Sequence, residues 1–253
     1  MGWQAVARGD LRSGVRSRGL WLVVGVAVVT MLVLGRFVSR GRVLTGAVLF
    51  ETNARTFGLL LTLLFAPVLG LVVGNGALSH GRTAERGDAG DKLSARDRFI
   101  GTVLGRTGVL AVALLAAFAP VAVAWVVQSG PPALYELLVT VLAALALGLL
   151  FVAVGIALST VTADRRLAAL GGAGAFGLLY AWPLLPALSG VGVPFAVLDR
   201  FWLVLVVGDV ADTLFALREA RLTDSVTGLV VLGALVGGLL AVSYRRFSRR
   251  TCG

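Results

Sequence analysis

Side chains able to do chemistry are scarce in this sequence. It has one histidine, His80, and one cysteine, Cys252. With one of each, no multi-histidine or Cys/His ligand set can be assembled within the chain. His80 therefore reads as a polar residue at a membrane boundary, and Cys252 as incidental. No G-x-S-x-G nucleophile elbow and no H-E-x-x-H zinc helix occurs. Asp88 and Asp91 are close carboxylates, but without a second acidic pair a two-metal phosphate site cannot form. Away from their ends, the long apolar runs contain no Asp, Glu, Lys, Arg or His. A proton-coupled carrier needs a titrating group held inside the bilayer, so that class is not expected.

The rest of the chain explains this silence. Of 253 residues, 58% are hydrophobic, 33 are glycine and only 14% are charged. That balance excludes a disordered chain, a disulfide-framed domain and an ordinary soluble enzyme. Six apolar stretches run over about residues 19–35, 56–78, 108–127, 134–160, 167–188 and 226–243. Each approaches the roughly 17–25 residues a helix needs to cross the hydrocarbon layer. Lipid offers the backbone no partner, so runs of this kind must be helices. The expected fold is all-α: a single polytopic membrane domain of six transmembrane helices over residues 1–253. A cleaved leader is not expected, because Arg36 follows the first run.

Orientation follows from the cations. With the N-terminus in the cytoplasm, 16 of the 23 Lys and Arg residues fall inside and seven outside. Six of the 13 acids fall inside and seven outside, so the whole formal charge of +10 lies on one face. The positive-inside rule then puts both termini in the cytoplasm of a cell-membrane protein. The cations cluster at span ends and lack an aromatic stacking platform, so contact with anionic lipids explains them better than nucleic acid does.

Three connecting pieces remain. In residues 2–18, Trp3, Ala7, Leu11 and Val15 recur every four residues beside a stripe of Arg8, Arg12 and Arg16. The pattern predicts an amphipathic helix in the headgroup plane, apolar side in the lipid and arginines on phosphates. Residues 79–106 form the longest cytoplasmic segment. Within it, Leu93 to Leu104 reads as a short helix entering the third span, capped by Ser94 with Asp97 three residues on. Residues 189–225 form an external loop, whose run Phe201–Val207 is too short to span and is expected to lie at the outer surface. Gly70/Gly74 and Gly233/Gly237 have small-xxx-small spacing, and glycines crowd the fifth span. Pro67, Pro120 and Pro183 should kink their helices.

Two family resemblances attach to the 79–106 segment. The Asp88, Asp91, Ala95, Arg96 and Gly105 spacing partly mimics the CDP-alcohol phosphatidyltransferases, also six-span proteins, in which two further carboxylates follow that glycine at four-residue steps; here those places hold Val109 and Ala113, and Lys92 replaces the motif's first glycine. A broader resemblance covers nearly the whole chain. The N-terminal helix, the six spans and the charged loop resemble a permease subunit of the ABC transporter superfamily, type-2 exporter class. Its trace is Glu85-Arg86, then Ser94-Ala95-Arg96-Asp97-Arg98, Gly101 and Gly105-Arg106, with Thr102 where the family has lysine. The resemblance implies that Glu85, Arg86, Arg96, Asp97 and Arg98 form a coupling loop docking on a cytoplasmic ATP-binding subunit. It also implies a homodimer or heterodimer of permease chains, with the substrate path lined by spans two and five. No G-x-x-x-x-G-K-[ST] occurs, so ATP must be held by that partner, and no cofactor or metal of the chain's own is expected. Within the class, the chain is most similar to permeases linked to copper handling in nitrous-oxide-reductase maturation. Copper needs soft ligands, and Met1, Met31, Cys252 and His80 are all the sequence offers, so copper ions are not expected to pass. A non-transport membrane scaffold is the competing reading.

Overall fold

A computed structural model describes residues 2–40, 61–75, 77–78, 94–129, 133–162, 164–177 and 222–251. Their regular structure is all helical, with no strand among the described residues. In chain order the helices are α1 (Gly2–Val15), α2 (Arg18–Arg40), α3 (Ala66–Gly74), α4 (Ala95–Ser129), α5 (Ala133–Val161), α6 (Arg165–Phe176) and α7 (Leu222–Thr251). Two stretches, Ala95–Val123 and Thr140–Val161, are long and apolar enough to cross a membrane. The second half of the expected fifth span, Pro183, the external run Phe201–Val207 and the stretch 79–93 lie outside the described residues.

One turn of π-helix, Leu61–Phe65, leads directly into α3. Pro67 accounts for it. A proline has no N–H to donate, and its ring crowds the carbonyl four residues back, so the ladder widens before the α-helix resumes. The third expected span and the short helix expected before it are one continuous helix, α4, of 35 residues. Gly101 and Gly105 do not interrupt it, because α1 packs against both.

Close packing holds the centre. Phe118, Leu110 and Leu114 of α4, Phe151 and Ile156 of α5, and Leu61 and Leu69 ahead of and within α3 are all almost fully buried. Where α3 meets α5 the backbones touch. A Cβ on Gly70 would strike the carbonyl oxygen of Gly148, and one on Gly74 would lie 2.5 Å from that of Val152. One on Gly155 would lie 2.9 Å from the carbonyl carbon of Gly74. Residue numbers rise together along both helices, so α3 and α5 run in the same direction. Without a hydrophobic driving force between helices in lipid, such backbone proximity is what association rests on.

The same device seats α1. Gly101 of α4 faces Trp3 and Val6, Gly105 faces Ala7 and Asp10, and Gly108 faces Leu11, while Gly14 of α1 faces Val109. The contacts advance in register, so α1 runs beside the first turns of α4 in the same direction. Of the residues expected to enter lipid, Ala7 packs against Gly105, and Leu11 turns one side to Gly108 while staying half-buried. The periodicity marks an amphipathic helix, and glycines of α4 meet part of its apolar side. After a turn at Arg16–Ser17, α2 begins, and the Trp21 indole Nε1 donates to the Val15 carbonyl across that turn. Leu20, Val24 and Ala27 then bury the inner face of α2.

Candidate coupling site

Helix α1, the end of α3 and the last turns of α7 converge around the first turns of α4. Its N-terminus is fixed by a reciprocal cap. Ser94 Oγ donates to Asp97 Oδ2 at 2.9 Å, and the Asp97 backbone N–H donates to Ser94 Oγ at 3.0 Å. This satisfies one of the four amides that a helix start leaves without a partner. One carboxylate oxygen of Asp97, a residue that the resemblance assigned to partner docking, thus accepts from Ser94.

Beyond the cap, α4 presents different faces to different neighbours. Arg96 is exposed. Phe99, 6% exposed, turns toward α7, where its ring meets Tyr244 edge-on at 5.4 Å and Phe247 at 6.2 Å. Such pairs add about 0.5–1.5 kcal/mol beyond area burial. Arg98 is half-buried, and Thr102 and Arg106, four and eight residues on, are buried. Gly101, Gly105 and Gly108 form the remaining face, against α1.

Arg106 is the residue that sequence reasoning undervalued. It is 5% exposed, and its Nη1 donates to the Val73 carbonyl at 3.0 Å. Val73 lies in the last turn of α3, where carbonyls have no intrahelical partner and the helix dipole favours a cation. Arg106 thus ties the end of α3 to the body of α4. Those two helices bracket residues 79–93, and both roots of that segment are held. From the sequence, Arg106 is one more boundary cation closing the Gly105-Arg106 motif. The signal that could have singled it out is its place one residue after a glycine that admits another helix. Asp10, buried at 2% exposure on the α1 side of the same layer, gave no signal beyond being the lone acid in a basic helix.

Of the expected coupling residues, then, Arg96, Asp97 and Arg98 lie together on the first turn of α4, the first exposed, the second used in the cap and the third half-buried. Glu85 and Arg86 lie outside the described residues. No cluster of three or more His, Cys, Asp or Glu residues suited to a metal occurs among the described residues.

A separate apolar cavity of about 260 Å³ opens between α3, α5 and α6. Leu71, Val72, Ala169, Gly172 and Phe176 line it, with Asn75 as its polar residue. Asp164 caps α6 beside it, accepting from the Arg166 backbone N–H at 2.8 Å.

Residues 96–252, more than half of the chain, match the family model described as ABC-2 family transporter protein. No curated protein matches the chain.

Proposed function

This chain belongs to the ABC-2 transporter family and is a membrane permease component of an ABC transporter, and from that premise we propose that it couples to a separate ATP-binding subunit through residues 79–106. The Arg106–Val73 bond carries the reading, because it braces both roots of that segment against one another. A force applied to the segment then reaches α3 and α4 together rather than dissipating at either root. Six crossings with both termini in the cytoplasm agree with the charge count. They agree also with the meeting of the end of α3, the start of α4 and the end of α7 on one side.

In the proposed cycle, ATP binding closes two partner subunits, the docked segments move with them, and the spans of two permease chains shift population between inward- and outward-facing arrangements. The cavity between α3 and α6 supports an apolar cargo. With two Met, one Cys and one His in the whole chain, a path for copper ions has little to be built from.

Co-purification tests the docking. Glu85→Lys with Arg96→Glu should abolish association with the ATP-binding subunit while the permease remains folded. Association at the wild-type level would remove this segment from the coupling role.

A further inference from the structure

On the face of α1 opposite α4, Arg8, Arg12 and Arg16 are exposed. With Gly9, Leu11 and Val15 they line one open trough of about 540 Å³. Leu11 and Val15 are its apolar side chains and the three arginines its charges, with no acid among the lining residues. The trough lies beside the turn that leads into α2. Trp21, 41% exposed and bonded to the Val15 carbonyl, is the kind of residue that settles at headgroup level. Leu22, Val26 and Val29 of α2 beyond it are exposed apolar side chains.

We propose that this trough is a discrete site for one anionic phospholipid, with Arg8, Arg12 and Arg16 on the phosphate, and with the open sides of the half-buried Val15 and of Leu11, whose other side meets Gly108, against the glycerol and upper acyl carbons. The occupant is set by the mixture of chemistries. A soluble acidic partner has use for three guanidinium groups but none for the apolar walls, whereas a phospholipid at the head of α2 uses both. The packing of α1 makes the site discrete. Because its other face is consumed by the glycines of α4, the helix cannot roll or sink to accommodate many headgroups, and the arginines keep a fixed spacing. This inference rests only on the chain being a membrane protein and not on its coupling to an ATP-binding subunit.

The test is native mass spectrometry of the purified full chain in detergent, titrated with phosphatidylglycerol and with phosphatidylcholine. The wild type should retain one phosphatidylglycerol in preference to phosphatidylcholine. The variant Arg8→Gln/Arg12→Gln/Arg16→Gln should bind it about a hundredfold more weakly, from a factor of about five per arginine. Gly9→Phe is the sharper probe. Gly9 lines the trough and a Cβ there meets no atom within 4 Å, so a side chain starts in open space, and the substitution changes no charge. It should lower phosphatidylglycerol retention while leaving the melting temperature in place. Unchanged retention in Gly9→Phe would show a diffuse electrostatic attraction instead of a site. Unchanged retention in the triple variant, with loss of a co-purifying acidic protein, would make α1 a protein-docking face. Either result overturns the proposal, and neither depends on nucleotide or on the ATP-binding partner.

Discussion

Gly70/Gly74 and Gly233/Gly237 share one spacing and meet opposite fates. The first pair lies in backbone contact with α5, where Gly148 and Gly155 offer matching absences of side chain. The second pair, on α7, has no atom of a described residue within 4 Å of either Cβ position. A small-xxx-small spacing therefore licenses close approach but does not produce it, and the partner must supply a complementary gap. The α1–α4 contact repeats this, with Gly101, Gly105 and Gly108 on one helix and Gly14 on the other.

Substitutions can break the contrast. Gly74→Leu should be the most damaging, since the added side chain meets main chain that cannot rotate away. A loss of about 3 kcal/mol, or no folded protein at all, is expected in a thermal melt in detergent. Arg106→Gln comes next, at about 2 kcal/mol, because the Val73 carbonyl loses a charged donor in a buried layer. Arg106→Lys should recover part of this, and partial recovery would separate the cation's role from simple volume. Ser94→Ala should cost about 1 kcal/mol, the usual worth of an N-cap, and hydrogen exchange should rise at the first amides of α4. Gly237→Leu should change the stability of the single chain by less than about 0.5 kcal/mol. A large loss there would mean that the α7 face is packed after all, and the contrast with Gly74 would vanish.

The membrane class and most helix positions could be read from the sequence, because apolar runs and flanking cations are local signals that lipid makes obligatory. The Ser94–Asp97 cap was legible for the same reason: its partners are three residues apart. What could not be read depends on which helix stands beside which. Ala7 and Leu11 look the same whether they face lipid or Gly105 and Gly108. Arg106 looks like any boundary cation until the end of α3 is placed against it. Phe99 shows no sign of its pairing with Tyr244 and Phe247, which lie nearly 150 residues away along the chain. Arg96, Asp97 and Arg98 were found by motif, but their differing exposure follows from the helix turning them toward different neighbours.

The central claim is that this chain is a passage driven by ATP hydrolysed elsewhere. Reconstitution into liposomes tests it most directly, comparing the purified chain alone with the same chain plus its ATP-binding subunit, and reading ATP hydrolysis and movement of an apolar fluorescent cargo together. The account predicts neither signal from the chain alone and both from the complex, with Arg106→Gln retaining association and hydrolysis but losing cargo movement. Hydrolysis, or energised transport, by the chain without a companion would contradict it.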